Sequence, residues 1–69
     1  MKSSVAKIVE LSSQSDKSFE DAIKNGISRA NKTLQGVTGA WVKSMKVMVE
    51  DGKIRGYRVT LKVTFVLKG

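Results

Sequence analysis

Glu50-Asp51-Gly52-Lys53 and the run that follows, Tyr57-Arg58-Val59-Thr60-Leu61-Lys62-Val63-Thr64-Phe65-Val66-Leu67, hold a turn and a strand in one stretch. Asp-Gly suits a two-residue type I′ hairpin loop, because both central residues of that turn need positive φ. Behind it Tyr57, Val59, Leu61, Val63, Phe65 and Leu67 alternate with Arg58, Thr60, Lys62 and Thr64. That period of two is a strand with one buried face and one open face. A two-residue loop with an unbroken ladder sets Glu50 opposite Lys53, Met45 opposite Arg58 and Trp41 opposite Lys62. On that register Ala40, Val42, Ser44 and Lys46 share the apolar side. Trp41, Lys43, Met45 and Val47 join Arg58, Thr60 and Lys62 on the other.

The apolar side needs a cover, and the sequence ahead of the hairpin supplies one. Phe19, Ala22, Ile23, Gly26, Ile27, Ala30 and Leu34 recur at helical spacing and form one face. Either Ser15 or Ser18 can cap this helix, and Glu20 and Asp21 suit its first turn. Gly26 lowers helix propensity by about 1 kcal/mol against alanine, so its place on the apolar face predicts a close approach to the sheet. Gly36 suits a left-handed stop after the last turn. Upstream, Val5-Ala6-Lys7-Ile8-Val9-Glu10-Leu11 reads as a short strand, and Ser12 to Ser18 as a loop. The expected fold class is α+β: one domain over residues 1–69, ordered β-α-β-β, a three-stranded antiparallel sheet with one helix on one face.

Composition bounds the chemistry. Sixty-nine residues give a small core, and a chain of this size commonly gains stability from disulfides, metal or self-association. It has no Cys and no His, which removes thiolate chemistry, zinc clusters and His-based triads and favours self-association. No nucleophile–base pair or phosphate-cradling glycine loop is present, so an enzyme is not expected. Glu50-Asp51 is read as a turn pair, and no metal site is expected. Apolar runs stay well short of a membrane span, no signal-peptide core follows Met1, and a cytoplasmic protein without a membrane partner is expected. Thirteen Lys and Arg against six Asp and Glu give a net charge of +7, which favours anionic partners. Nucleic acid is disfavoured, because the open face offers one aromatic where sheet-type readers stack two or three bases.

The order and spacing of several stretches resemble the dodecin family over nearly the whole chain. These are Lys7-Ile8-Val9-Glu10-Leu11, Phe19-Glu20-Asp21-Ala22-Ile23, Ile27-Ser28-Arg29-Ala30-Asn31-Lys32-Thr33-Leu34, Val49-Glu50-Asp51-Gly52-Lys53-Ile54 and Tyr57 to Phe65. The resemblance implies a β-α-β-β subunit, twelve of which form a hollow shell. It also implies a non-enzymatic flavin store or buffer that stacks riboflavin or its nucleotides between tryptophans of two subunits. Flavin-binding members carry a Trp five residues past the helix-ending Leu and a Gln directly after the strand-three aromatic. Here those positions are Gly39 and Arg58. An Arg in the second position resembles a minor branch that is not a conventional flavin binder, part of which is described as calcium-associated.

Trp41 lies two residues beyond Gly39 on the same strand and face, about 6–7 Å away. It can stack an aromatic ring or anchor a subunit interface. Arg58 offers donors only, and it, Lys43 or Lys62 can attract a phosphate. The expected site is therefore Trp41, Arg58, Lys43, Met45, Lys62 and Gly39. The expected ligand is a small anionic aromatic, FMN or riboflavin in the first instance. The alternative is a homo-oligomer that has lost flavin binding and serves as a structural or ion-associated assembly.

Overall fold

The computed structural model describes residues 5–67, and the ends of the expected 1–69 domain lie outside them. Strand β1 spans Ala6–Ser15, helix α1 Phe19–Thr33, strand β2 Val37–Glu50 and strand β3 Lys53–Val66. The sheet is antiparallel with order β1-β3-β2, so β3 is central, paired with β2 over nearly its whole length and with β1 from Tyr57 to Val66. Its odd-numbered residues make the core: Val59, Leu61 and Val63 are fully buried against Ala22 and Ala30 of α1.

Ser18 caps the helix, its hydroxyl accepting from the Asp21 amide at 3.0 Å. Leu34 closes the other end by donating its N–H to the Ala30 carbonyl at 2.7 Å. Gly36 then takes a left-handed φ of 78° and turns the chain into β2. Gly26 answers the expected close approach. A β-carbon there would sit 2.8 Å from Leu61 Cδ1 and 3.1 Å from Ser13 Cβ.

Two features depart from the sequence-based expectation. Strand β1 runs four residues past Leu11, through serines that read as loop. Ser12 and Gln14 pair with Thr60 and Arg58 on the open face, while Ser13 and Ser15 pair with Val59 and Tyr57 beneath the helix. Small side chains are what that crowded strip accommodates. Ser15 is buried there, donating its hydroxyl to Asp21 Oδ2 at 2.6 Å and accepting from the Lys17 amide at 2.9 Å.

The second departure is in the hairpin. The turn is as expected, with Asp51 and Gly52 at φ of 52° and 73° and Glu50 opposite Lys53. Trp41 lies opposite Lys62, also as expected. Between these points the ladder shifts twice, at Arg55 on β3 and again at Lys43 on β2, with a third shift at Thr38. Each bulge leaves one residue without an opposite partner and reverses side-chain parity on its own strand. Met45 consequently lies opposite Val59 rather than Arg58, and Val47 lies opposite Tyr57. Both belong to the helix side of the sheet, while Ser44 and Lys46 move to the open side, opposite Thr60 and Arg58.

The helix packs on β1 and β3 and scarcely touches β2. At about 22 Å long it also falls short of the strands it covers. The hairpin therefore overhangs at one end of a molecule 52 Å in its longest dimension. Met45, Val49 and Ile54 lie on that overhang and are more than half exposed.

Candidate functional site: the open face of the sheet

Antiparallel partners share a face, so the two ladders define rows across the open side of the sheet. From the end nearest Gly36 these are Ile8, Thr64 and Gly39; then Glu10, Lys62 and Trp41; then Ser12, Thr60 and Ser44; then Gln14, Arg58 and Lys46. Buried Gly56 follows, with Met48 opposite it, and at the turn Glu50 faces Lys53.

Trp41 is 72% exposed, so its ring is free to stack. The Lys62 ammonium stands 5.9 Å from the ring centroid, close enough for a cation–π contact. The bulge at Lys43 carries that side chain across the central strand, where it donates to Glu10 Oε1 on β1 at 3.2 Å. Trp41, Lys43 and Lys62 line a hollow of about 90 Å³. Enclosing a cofactor-sized ligand takes roughly 300 Å³ or more, so one subunit provides a ring-stacking wall and two cations but no enclosure. Beside it Gly39 leaves open space: a β-carbon there would have no neighbour within 4 Å.

Arg58 sits elsewhere on this face. It lies four residues from Lys62 on β3, about 13 Å along the strand. Its Nε and Nη2 both donate to Gln14 Oε1, at 3.2 and 2.9 Å. The six expected residues therefore divide. Trp41, Lys43 and Lys62 come together with Gly39 beside them. Arg58 shares the face but forms a second group with Gln14 and Lys46. Met45 leaves the face, through the bulge at Lys43.

Glu10, Gln14 and Lys46 are open-face residues that the sequence reading passed over. Lys46 carried a visible signal. Ala40 and Val42 are apolar at even positions, whereas Met45, Val47 and Val49 are apolar at odd ones, and that break in parity marks a bulge between them. Gln14 was hidden by its serine neighbours. Among the described residues, no three of His, Cys, Asp and Glu converge on a possible metal position. Nor is any helix among the described residues long and apolar enough to cross a membrane.

The chain is thus a β-α-β-β unit whose helix-free sheet face bears an exposed aromatic among cations. Comparison with known proteins gives its family. Residues 5–68 match the family model of dodecin, and the chain belongs to the dodecin family. It is 34% identical over 64 residues to a dodecin from Thermus thermophilus, covering 93% of each chain. Dodecin from Streptomyces coelicolor superposes with a TM-score of 0.92 at 26% identity, over 100% of this chain and 99% of that one. A calcium dodecin from Mycobacterium tuberculosis, described as calcium chelating, superposes with a TM-score of 0.80 at 29% identity, over 93% and 91% of the two chains.

Proposed function

We propose that this dodecin is a non-enzymatic, cytoplasmic homo-oligomer that sequesters a small aromatic ligand, a flavin, on the open face of its sheet: anionic FMN in the first instance, or riboflavin. The observation that carries this reading is Trp41, an exposed indole held beside the Lys62 ammonium with Lys43 next to it. A flat ring stacks on the indole, and the cations draw the negative charge of its substituent. The hollow beside Trp41 is too small to enclose a flavin, which favours completion of the site by a second copy. The resemblance to dodecins implies a shell of twelve subunits, in which faces of neighbouring copies meet.

Native mass spectrometry on protein purified without added ligand reports assembly and bound mass together. The expected result is twelve subunits plus whole flavin units. Trp41→Ala is expected to abolish flavin quenching while leaving the assembly intact. Unchanged quenching would remove Trp41 from the site.

A second reading has its own support. Gly39 and Arg58 stand where flavin-binding relatives carry their stacking Trp and amide Gln, which favours an assembly that has given up flavin binding. A bare dodecamer that leaves added flavin unquenched would establish it.

A further inference from the structure

The row Gln14, Arg58 and Lys46 has a polarity that the Trp41 row lacks. A guanidinium has no acceptor, so the Gln14 amide must turn its oxygen toward Arg58. That oxygen receives both Nε and Nη2, which occupies its two lone pairs. What remains on the pair is donors only: the other Arg58 N–H groups and the Gln14 Nε2 amide. Gln14 Nε2 and Met48 Cγ lie over Gly56, 3.6 and 3.5 Å from where a β-carbon would stand. Lys46 is the opposite partner of Arg58, so two cations face each other across the ladder, an arrangement that repels unless an anion lies between or above them. The carboxylates on this face are each two rows away: Glu10, bonded to Lys43, and Glu50, opposite Lys53 at the turn. The row between holds the hydroxyls of Ser12, Thr60 and Ser44.

We infer that Gln14 and Arg58 form a donor-only receptor for an oxyanion, so that the ligand of this face is a flat aromatic carrying a phosphate or carboxylate on an arm. The aromatic half of the inference rests on the function proposed above; the receptor rests on the Gln14–Arg58 geometry alone. An oxyanion finds every partner it needs in this row. A neutral edge presenting an N–H finds no free acceptor on the pair. The separation of about 13 Å between the rows suits a ligand whose charge stands at the end of an arm, with the Arg58 side chain covering part of the distance.

The test compares riboflavin with its phosphate ester, FMN, by fluorescence titration at one ionic strength. Charge-assisted hydrogen bonds of this kind correspond to FMN binding about tenfold to a hundredfold more tightly. Arg58→Gln is expected to remove most of the preference for FMN and leave riboflavin unchanged. Arg58→Lys, which keeps the charge but loses the fork, is expected to fall between. Equal binding of the two flavins by the unaltered protein would overturn the receptor and leave the Trp41 reading standing. If neither flavin binds, the Trp41 reading fails, and calorimetric titration with inorganic pyrophosphate decides the receptor by itself. Saturable heat that Arg58→Gln abolishes sustains it; no heat, or heat that Arg58→Gln leaves unchanged, overturns it.

Discussion

Replacing Gly26 with alanine sets two effects of similar size against each other. In an exposed helix interior the change would stabilise by about 1 kcal/mol. Here the new β-carbon would stand 2.8 Å from Leu61 Cδ1 and 3.1 Å from Ser13 Cβ. Leu61 is fully buried between Val59 and Val63 on the central strand, so its terminal methyl has little room to retreat. Ser13 Cβ is fixed by β1, opposite Val59. Forcing a methyl into a packed interior costs about 1–3 kcal/mol, so packing outweighs propensity and the expected net loss is about 1 kcal/mol. For a domain of this size that lowers Tm by about 4–8 °C. Urea unfolding followed by far-ultraviolet circular dichroism, at one fixed protomer concentration, measures it. In a Leu61→Val background the interfering δ-methyl is gone, and Gly26→Ala should turn neutral or stabilising, a coupling near 1 kcal/mol in a double-mutant cycle. A Gly26→Ala protein more stable than the parent would refute the close-packing account, and absence of coupling would refute the role of Leu61.

Three further expectations follow from the same geometry. The Ser15 hydroxyl beside Asp21 holds its carboxyl below the ordinary carboxylate range, with Lys17, Asn25 and Lys24 helping and desolvation opposing. A depressed folded value means a contribution present above the unfolded value of about 3.9 and lost as pH falls through the folded one. Urea midpoints at pH 7 and pH 3 should therefore converge for parent and Ser15→Ala at the lower pH, and an unchanged gap would count against the pair. A β-carbon at Gly39 meets no neighbour within 4 Å, and Gly39→Trp should add a second stacking surface beside Trp41, tightening flavin binding by about 1 kcal/mol, or several-fold, in a fluorescence titration; unaltered affinity would show that ligands do not reach that row. Glu10→Gln removes an ion pair whose side chains are each about half exposed, and should cost under about 0.5 kcal/mol at low salt and nothing at high salt by chemical denaturation.

Much of the architecture was legible because its signals were local and redundant. The helix carried a capping serine, an acidic first turn and a clean apolar face; the hairpin carried Asp-Gly between two alternating runs. The polar end of β1 was not legible, because four residues ending in Ser13-Gln14-Ser15 have turn-like composition whatever they pair with. Their strand conformation comes from the central strand beside them, which propensity does not see. The Trp41 row emerged correctly, since Trp41 and Lys62 stay opposite each other despite the bulges. Met45 did not, because the reading extended one uninterrupted register through two compensating shifts. Gln14 was missed for the same reason as its strand: its importance lies in its neighbour across the ladder, Arg58.

The bulge at Lys43 also has a meaning for how this surface can vary among relatives. A relative lacking the extra residue at Lys43 would still set Ser44 opposite Thr60 and Met45 opposite Val59, so every later side chain would keep its face and only the kink would be lost. Keeping Lys43 but pairing β2 in one uninterrupted register would instead carry Ser44, Lys46 and Met48 toward the helix side and deliver Met45, Val47 and Val49 to the face that bears Trp41. Aligning relatives that lack the extra residue without allowing a gap at this position would compare residues from opposite faces, and would mistake a change of frame for a change of chemistry.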